Sequence, residues 1–352
     1  MNLSTRRLLL SLLCLLLLSS YLIACGSAPS SNANAASNMT LKVGQINDSV
    51  NFFPFYVAEQ QGYFKAQGLT LTARPRLQTG PKVVTALEAG SIDIGGGVIT
   101  DVFDIAKADP SFKIIGALTN GYVVDVVAGK QFEQSTHLTE ASSLTSKVLA
   151  LRGKKIGITG PGSGTEALVI YLFKQEGLNA QKDATLVNLG SNETGALGAL
   201  QTGRVDALSF FSPIGQAAEA QGIGNILISP ERGDIPGLRG DIHGVFYTRQ
   251  SIINNRSKAV QAFIRAIAQA ETYIQQNPSQ ARTLLNNYLK LGQQVTTTTY
   301  AATAPVWAPN PQISQAAYNV ATQFHIQGGL IKTAPPYSSL VATDTINSAL
   351  KP

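Results

Sequence analysis

The stretch ALEAGSIDI at residues 86–94 has a counterpart, ALQTGRVDA, at residues 199–207. Two more pairs of segments occur in the same order, namely KVG at 42–44 with KIG at 155–157, and FKAQGL at 64–69 with FKQEGL at 173–178. Three matched pairs in one order and at similar spacing indicate two copies of one supersecondary pattern. The sequence therefore predicts two similar lobes, and a chain of 352 residues is long enough for both.

In each copy, short apolar segments alternate with helical patterns. In the first copy, strands are predicted at 41–46, 69–75 and 91–97, and helices at 54–65 and 80–90. In the second copy, strands are predicted at 154–159, 185–190 and 205–211, and helices at 166–175 and 193–201. This alternation predicts an α/β fold of parallel βαβ units with right-handed crossovers. Ligands of such sheets gather at the carboxyl ends of the strands.

Beyond about Val245 the pattern is helical, with helices predicted at 256–276, 279–290, 311–327 and 338–350. We expect this block to pack back on the first lobe, so that the chain crosses between the lobes twice, near residues 128–132 and near 242–245. The predicted organisation is a first lobe at 41–128, a second lobe at 129–244, and a return to the first lobe at 245–352.

The N-terminus has the features of a secretion signal. Arg6 and Arg7 precede an apolar run at 8–24, which is too short and too early for a comfortable membrane span. The sequence LIAC at 22–25 resembles a bacterial lipobox, so residues 1–24 are a predicted lipoprotein signal peptide and Cys25 a predicted lipidation site. An uncleaved membrane anchor is the alternative, and both interpretations place the rest of the chain outside the cytoplasm. Residues 25–40, rich in Ser, Asn and Ala, are a predicted flexible tether.

Composition disfavours several functional classes. Cys14 lies in the leader and Cys25 is the predicted lipid site, so the mature body has no thiol for a disulfide, for catalysis or for a metal. The 3 histidines have no ligand spacing, and neither a metal nor a cofactor is predicted. Without Arg6 and Arg7, 25 basic side chains stand against 21 acidic ones, a net charge of about +4 with no Lys/Arg run. Nucleic acid is therefore not a predicted partner.

The loop GPGSGT at 160–165 joins a predicted strand to a predicted helix. Its glycines let backbone N–H groups converge beside a helix N-terminus, which suits a small anion or a polar group, and the Ser163 and Thr165 hydroxyls could add donors. A tight turn with a threonine cap is the alternative. A dinucleotide site is disfavoured because Asp183 precedes the next strand instead of ending it, and the loop has neither the lysine of a phosphate loop nor a G-x-S-x-G elbow.

Three isolated residues raise the question of catalysis or binding. Asp93 and Asp206 stand at equivalent helix-to-strand turns of the two copies, which indicates a structural role in each. His243 falls where the chain crosses back between the lobes. It is either an exposed turn residue or a pocket residue.

Aromatic residues are concentrated in FFPFY at 52–56. The last two aromatic side chains of this segment are expected in the core. Phe52 or Phe53 could line a pocket from the first lobe, and Phe210 or Phe211 could line it from the second.

Several motifs together resemble a known family. FPFYVAEQQGYFKAQGLTL, ALEAGSIDIGGG, LRGKKIGITGPGSGT, FKQEGL and ALQTGRVDALSF are similar to segments of the extracytoplasmic substrate-binding proteins of ABC importers in the aliphatic sulfonate, taurine and nitrate group. The similarity covers about residues 41–211. It implies a type II periplasmic-binding fold, with two α/β lobes, hinge crossovers and a central cleft that closes on one small solute. It also implies a monomeric, lipid-anchored binding protein without enzymatic activity, which serves an ABC permease and its ATPase.

The resemblance also implies where the ligand contacts would fall. By position they are Gln45, Asn47, Phe53, Thr79, Gly80, Val98, Thr100, Ser163, Gly164, Thr165, Asn192, Glu193, Phe211 and Ser212, with His243 as an addition.

The ligand's identity stays open. These loops lack an arginine that would clamp an anion through two hydrogen bonds. Asp48 or Glu193 in the cleft would favour a neutral or cationic nitrogen compound over a sulfonate. Two other functions remain alternatives: a thiamin-pyrimidine-synthase-like enzyme, which the absence of cysteine from the mature chain disfavours, and a ligand sensor that docks on a membrane receptor.

Overall fold

The computed structural model describes residues 39–351. The predicted signal peptide at 1–24, the lipidation site Cys25 and nearly all of the predicted tether at 25–40 lie outside these residues. No helix among residues 39–351 is both long and apolar enough to cross a lipid bilayer.

Five strands form a first sheet: β1 (Thr40–Gln45), β2 (Thr70–Ala73), β3 (Ile94–Val98), β4 (Phe112–Ala117) and β10 (Gly244–Arg249). Their order in the sheet is β2-β1-β3-β10-β4. β1 pairs in parallel with β2 and β3, whereas β10 runs antiparallel between β3 and β4. β3 is buried along its whole length, as expected of a strand in the middle of a sheet covered on both faces.

Five more strands form a second sheet: β5 (Val124–Gly129), β6 (Lys155–Ile158), β7 (Thr185–Asn188), β8 (Ala207–Phe211) and β9 (Gly224–Ile228). Their order is β7-β6-β8-β5-β9. β6 pairs in parallel with β7 and β8, and β5 runs antiparallel to β8. The two sheets therefore share one arrangement, with the antiparallel strand in the fourth place of each.

The sequence repeat corresponds to the same contact in both sheets. Asp93 Oδ2 accepts the backbone N–H of Lys42 at 2.8 Å, and Asp206 Oδ2 accepts that of Lys155 at 2.8 Å. The backbone N–H of each aspartate in turn donates to the carbonyl of the same lysine. Each aspartate thus ties the strand beginning beside it to the first parallel strand of its sheet, which is the structural role predicted from the repeat.

Helices cover the sheets. Between the strands they are α1 (Phe53–Gln60), α2 (Tyr63–Ala66), α3 (Gly80–Glu88), α4 (Ile99–Ala106), α5 (Lys130–Thr136), α6 (Leu144–Ala150), α7 (Gly164–Gln175), α8 (Ala180–Asp183), α9 (Glu193–Gln201) and α10 (Ile214–Ala220). After β10 they are α11 (Gln250–Asn255), α12 (Ser257–Gln276), α13 (Pro278–Leu289), α14 (Gln293–Thr303), α15 (Gln315–Gln327), α16 (Tyr337–Leu340) and α17 (Thr343–Leu350). Short 3₁₀ helices occupy Val50–Phe52 and Pro236–Leu238.

The helical predictions differ from the structure at three places. The helix predicted at 338–350 is divided into α16 and α17, because Val341 is extended between them. The helix predicted at 54–65 is divided into α1 and α2 by Gly62, whose φ of 71° cannot continue a right-handed helix. α14 was not predicted, because its run of threonines is β-branched and favours strands in isolation.

The crossings between the sheets lie in two connections. The chain leaves the first sheet after Ala117, enters the second at Val124, and returns between Ile228 and Gly244. The prediction of a first crossing at 128–132 is wrong, because the apolar run that precedes it is β5, which pairs with β8 and β9 in the second sheet. We therefore propose that the lobe boundaries fall within these two connections.

The C-terminal helices pack mainly on the first sheet. Buried apolar side chains of α12, α13 and α17 belong to the same cluster as those of β1, β3 and β4, as predicted. The second sheet has two clusters of its own. Two of these helices also contact the second half of the molecule. α14 contacts α10. α15 places Tyr318 in the first cluster and Phe324 in the second, and it contacts both α7 and the 3₁₀ helix Pro236–Leu238.

Candidate functional site

The carboxyl ends of the parallel strands in the two sheets face one another. A Cβ atom placed on Gly160, after β6, would lie 3.6 Å from Thr79 Cγ2, and one on Gly162 would lie 3.5 Å from Pro81 Cγ. We call the space between these edges the cleft. Because residues from the two edges are in contact, the cleft is closed in this structure.

The strand order gives the cleft two different ends. β4, β5, β9 and β10, which carry the crossings, lie on one side of their sheets, and β2 and β7 are the edge strands of the other side. We call the side near the crossings the deep end and the side of β2 and β7 the rim. Ser212, Asp125 and Glu231 lie at the deep end, and Thr79 and Glu193 lie at the rim.

Gln45 and Asn47 offer free acceptors between these ends. Gln45 is buried at the end of β1, and its Nε2 lies 2.6 Å from Asn47 O, 3.3 Å from Asp48 Oδ1 and 3.4 Å from Tyr288 Oη. Since the amide nitrogen faces acceptors, the orientation of the amide is fixed and Oε1 points elsewhere. Gln45 Oε1 and Asn47 Oδ1 are both buried without a hydrogen-bond partner.

The rim combines two carboxylates and one arginine. Arg76 Nε donates to Asp48 Oδ1 at 2.7 Å, so an arginine does lie near this edge, and the expectation that no arginine clamps an anionic ligand there stays a prediction. The guanidinium is engaged with a carboxylate of its own sheet. Across the rim, burial first and the charge of Asp48 second raise the pKa of Glu193 to about 7. The closed cleft therefore brings two carboxylates, one from each sheet, close enough for the charge of the exposed Asp48 to act on Glu193.

The predicted loop at 160–165 forms a turn with internal hydrogen bonds. Ser163 caps α7 by accepting the backbone N–H of Glu166 at 3.3 Å, so the cap is a serine and not a threonine. The Thr165 hydroxyl accepts the backbone N–H of Thr159 at 3.0 Å and lies 2.7 Å from Ser163 Oγ. Both hydroxyls are thus committed within the loop, and its contribution to the cleft is the backbone of Gly164.

Gly164 lies at a buried junction between the sheets. Its carbonyl accepts the hydroxyl of Tyr122 at 2.6 Å, and a Cβ atom on it would lie 3.1 Å from His243 Nε2 and 3.4 Å from Val98 Cγ2. His243 is fully buried, so its interpretation as an exposed turn residue is wrong. Its ring lies 6.1 Å from that of Phe211, centroid to centroid. The junction thus joins Val98, Gly164, Phe211 and His243 from four separate segments.

Gly80 and Thr100 have structural contacts in the first sheet's half of the molecule. A Cβ atom on Gly80 would lie 1.7 Å from Asp101 Oδ1, so only glycine permits this approach. Thr100 Oγ1 lies 2.9 Å from His325 Nε2, and the other ring nitrogen of His325 lies 2.7 Å from a carbonyl oxygen of its own helix. Because that carbonyl can only accept, the threonine hydroxyl donates to Nε2. Neither residue is free for a ligand in this state.

The deep end contains a buried pair of carboxylates around Ser212. The Ser212 hydroxyl lies 3.4 Å from Asp125 Oδ2 and 3.2 Å from Glu231 Oε1. Burial is the largest cause that raises the pKa of Asp125 to about 6, and burial followed by the charge of Asp125 raises the pKa of Glu231. Asp125 Oδ1 and Glu231 Oε2 are buried without partners.

Aromatic side chains line the first-sheet side of the deep end. Phe53 packs on Trp307 with ring centroids 4.9 Å apart and on Tyr288 at 6.3 Å. Trp307 Nε1 donates to Val50 O at 2.9 Å, which fixes the indole. Next to them, Asn51 Oδ1 accepts the Thr119 hydroxyl at 3.0 Å, and Asn51 Nδ2 is buried without a partner.

The predicted site residues thus divide into two groups. The first group lies near the cleft and has either unpaired polar atoms or close contacts between the two lobes. It consists of Gln45, Asn47, Phe53, Thr79, Val98, Gly164, Glu193, Phe211, Ser212 and His243. The second group is held by contacts of its own segment or of neighbouring segments, and it consists of Gly80, Thr100, Ser163, Thr165 and Asn192. Asn192 is an exposed N-cap whose side chain accepts the N–H of Gly195 at 2.7 Å. None of these positions has been tested as a ligand contact, so all of them stay predictions.

Four residues of the cleft were not predicted, namely Asn51, Tyr122, Asp125 and Glu231. Asp125 had a visible signal, since it is an acid inside the apolar run VVDVVAG. The others had none, because a lone Asn, Tyr or Glu in a loop is ordinary. Among residues 39–351, no group of three or more His, Cys, Asp and Glu side chains is arranged to hold a metal ion.

One family model matches most of this chain. The model of the NMT1-like family matches residues 34–287. The protein YtlA of Bacillus subtilis (strain 168), named as a candidate binding protein, is 24% identical over 240 residues, which cover 67% of this chain and 66% of YtlA. The aligned part of this chain thus spans just under two thirds of that relative.

Two solved structures have the same fold. A protein of Bordetella bronchiseptica RB50 superposes with a TM-score of 0.75 at 21% identity, covering 88% of this chain and 96% of that one. The alkanesulfonate-binding protein SsuA of Xanthomonas axonopodis pv. citri, bound to MOPS, gives a TM-score of 0.68 at 20% identity, covering 86% of this chain and 99% of SsuA. The predicted type II periplasmic-binding fold and the resemblance to the sulfonate-binding group are confirmed.

Proposed function

The chain belongs to the NMT1-like family, and from this membership and the geometry of the cleft we propose that it is the extracytoplasmic solute-binding component of an ABC importer. It captures one small organic solute between its two lobes and delivers it to a permease and its ATPase. YtlA and the Xanthomonas SsuA are both named for binding, which supports a role in binding over one in catalysis.

The single observation that carries the proposal is the set of unpartnered polar atoms on both sides of the cleft. Gln45 Oε1 and Asn51 Nδ2 lie on the first-sheet side, and Asp125 Oδ1 lies on the second-sheet side. All three side chains are at most 1% exposed. Buried polar groups in folded proteins are nearly always paired, and an unpaired one costs about 1–3 kcal/mol. Their position on two facing sheet edges supports a ligand that contacts both.

The work of such a protein is a conformational equilibrium. An open form admits the solute, and contacts from both lobes stabilise the closed form to the extent that the solute binds that form better. The closed form then docks on the permease. The two crossings at 118–123 and 229–243 are the segments in which the backbone rotation would occur.

The proposed location is the outer face of the cell membrane. Acylation of Cys25 would hold the protein there, and residues 25–40 would allow the binding lobes to stand away from the lipid. In cells, the wild-type protein should partition into the detergent phase, and the Cys25→Ser variant into the aqueous phase. Equal partitioning of both proteins would contradict lipidation at Cys25.

A thermal-shift screen tests solute binding directly. The purified protein would be melted with sulfonates, nitrate, bicarbonate, pyrimidines, polyamines and amino acids. A ligand at 100 times its dissociation constant stabilises the folded state by about 2.7 kcal/mol, which is easily detected. A compound that raises the melting temperature should also reduce the radius of gyration in small-angle scattering. Chemical turnover of a compound, detected by mass spectrometry, would contradict the proposal and favour an enzyme.

A further inference from the structure

We propose that the solute is an organic cation, with an ammonium or amidinium group bound by Asp125 and Glu231 at the deep end of the cleft. This inference rests on the proposed function, because it names the chemistry of the solute that the same cleft would bind.

The deep end supplies more acceptors than donors. Ser212 has one hydroxyl proton, so it can donate to Asp125 or to Glu231 but not to both at once. Asp125 Oδ1 and Glu231 Oε2 have no partner at all. The Ser229 hydroxyl also bonds Asp125, so two hydroxyl protons serve two carboxylates, and the acceptor sites that remain are ones that a nitrogen with several N–H bonds would fill.

No cation of the protein neutralises this pair by contact. Among the ion pairs within residues 39–351, none includes Asp125 or Glu231. Arg232 follows Glu231 in sequence, but its Nη2 donates to Asp234 Oδ2 at 2.6 Å and its Nε lies 3.4 Å from Glu140 Oε1. The guanidinium thus makes no contact with the pair and acts on it only from a distance, where its charge partly offsets the rise in the pKa of Asp125.

A third acceptor at the deep end is independent of the carboxylates. Gln216 is 5% exposed and its Oε1 has no partner. It lies on α10, which packs against β5 and β9, and the backbone of the preceding residue approaches the pair, since a Cβ atom on Gly215 would lie 3.0 Å from Asp125 Oδ2. Gln216 Oε1 is thus a further unpaired acceptor on a helix that approaches the pair, and an unpaired acceptor favours a ligand that donates.

The electrostatics agree with this geometry. Burial, which is the main cause for both groups, raises the pKa of Asp125 to about 6 and that of Glu231 well above its usual value, so near neutral pH the pair in the empty closed cleft holds a proton that a ligand cation would replace. A sulfonate or nitrate offers only acceptors and negative charge, so it would leave the same atoms unpaired.

Paired probes of opposite charge and similar shape test the inference. Butylammonium, putrescine and benzamidinium would be compared with butanesulfonate and benzenesulfonate in thermal shift and titration calorimetry at neutral pH. At least one of the three cations should raise the melting temperature, and neither sulfonate should.

Asp125→Asn and Glu231→Gln should each weaken binding of that cation by at least about tenfold, because each leaves a ligand N–H facing a neutral amide.

Glu219→Gln is the matched control. It removes an exposed carboxylate from α10, the helix that approaches the pair, and it keeps the oxygen that accepts the Ile226 N–H at 3.1 Å. Its cation affinity should stay within about twofold of wild type. The melting temperatures of the unliganded Asp125 and Glu231 variants would show whether these variants fold. Near pH 8 we expect both melting temperatures to equal or exceed that of wild type.

Two results would overturn the inference. One is a rise in melting temperature with a sulfonate that is also seen in Asp125→Asn. That result would agree with solute binding but would show that the solute is an anion. The other is the absence of a shift by all three cations while a neutral compound of the wider screen binds. Failure of every compound of every charge, together with an unchanged radius of gyration, would instead count against the proposed function itself.

Discussion

The imidazole of His243 lies face to face with the ring of Tyr122, with ring centroids 3.9 Å and planes 21° apart. Tyr122 belongs to the first crossing between the sheets and His243 to the second. The His243 Nδ1 accepts the backbone N–H of Val123 at 3.3 Å. The two crossings are therefore joined at one buried contact, and the Tyr122 hydroxyl connects that contact to the first residue of α7.

Stability should fall in acid because of this junction. Burial, the largest cause for both rings, lowers the pKa of His243 to about 3 and that of His325 to about 4. Both folded-state values lie below the unfolded value of about 6.5, so the unfolded state binds more protons. The contribution of both residues is complete above about pH 6.5 and is lost as the pH falls toward 4 and 3. The melting temperature should decline through this window.

His243→Phe should make that decline shallower, since it keeps the stack on Tyr122 and removes one titrating ring. It also removes the Val123 acceptor, so the variant should melt lower than wild type at neutral pH. His137→Asn is the control, because His137 is exposed and its positive φ of 54° suits asparagine. An acid slope equal to that of wild type in His243→Phe would contradict the assignment.

Gly164→Val should weaken solute binding without unfolding the protein. A Cβ atom there would lie within 3.5 Å of His243, Val98 and Tyr122, so α7 would have to move away from the junction. We expect binding to weaken by about tenfold or more, which is about 1.4 kcal/mol. Gly198→Ala on α9 is the control, since a Cβ atom there would meet nothing within 4 Å. Unchanged affinity in Gly164→Val for an identified ligand would argue against a role for this loop.

The unliganded protein should open as the pH rises. The closed form has a Glu193 pKa of about 7, above the ordinary value of 4.5, so it holds a proton that the open form releases, and the closed population should fall as the pH rises from about 4.5 to about 7. Small-angle scattering would show this as a growing radius of gyration. Glu193→Gln should remove the dependence, whereas Glu88→Gln, at an exposed position of α3, should not. A constant radius in the wild type would contradict the prediction.

Glu271→Gln should stabilise the protein in alkaline solution. Both carboxylate oxygens of Glu271 are buried in α12 without partners, and burial raises its pKa well above the usual value. The folded state therefore binds more protons than the unfolded state, and the stability that this group contributes below about pH 4.5 is lost as the pH rises. Removing the charge should raise the free energy of unfolding by about 1–3 kcal/mol near pH 8. Urea unfolding at pH 5 and pH 8 would measure this, and a loss of stability at pH 8 would contradict it.

Much of the fold follows from local sequence, because the repeat fixes the parallel strands and the turns at Asp93 and Asp206. The strands on either side of the two crossings, β4, β5, β9 and β10, were not predicted from the sequence. The run VVDVVAG at 123–129 has the pattern of a buried strand in either lobe, and only pairing with β8 decides that it belongs to the second sheet. Pairing over such a distance leaves no local signal.

The candidate site was predictable where it depends on strand ends and much less where it depends on side-chain geometry. Gln45 and Ser212 follow predicted strands and do reach the cleft. Thr165 also follows one, but its hydroxyl is used by Thr159. Whether a loop hydroxyl faces a ligand or its own backbone depends on side-chain torsion angles, which the spacing of residues in the sequence does not determine. The same holds for Arg76, whose guanidinium forms an ion pair with Asp48.

Because both sheets place their crossing strands on the same side, any rotation that parts them has its axis there. Glu193, far from that axis, would travel along a long arc, and Ser212 along a short one. A pair of fluorescent labels at positions flanking Asp48 and Glu193 would therefore report each capture event with the largest change in distance, while the carboxylates beside Ser212 would keep nearly the same mutual spacing throughout the cycle.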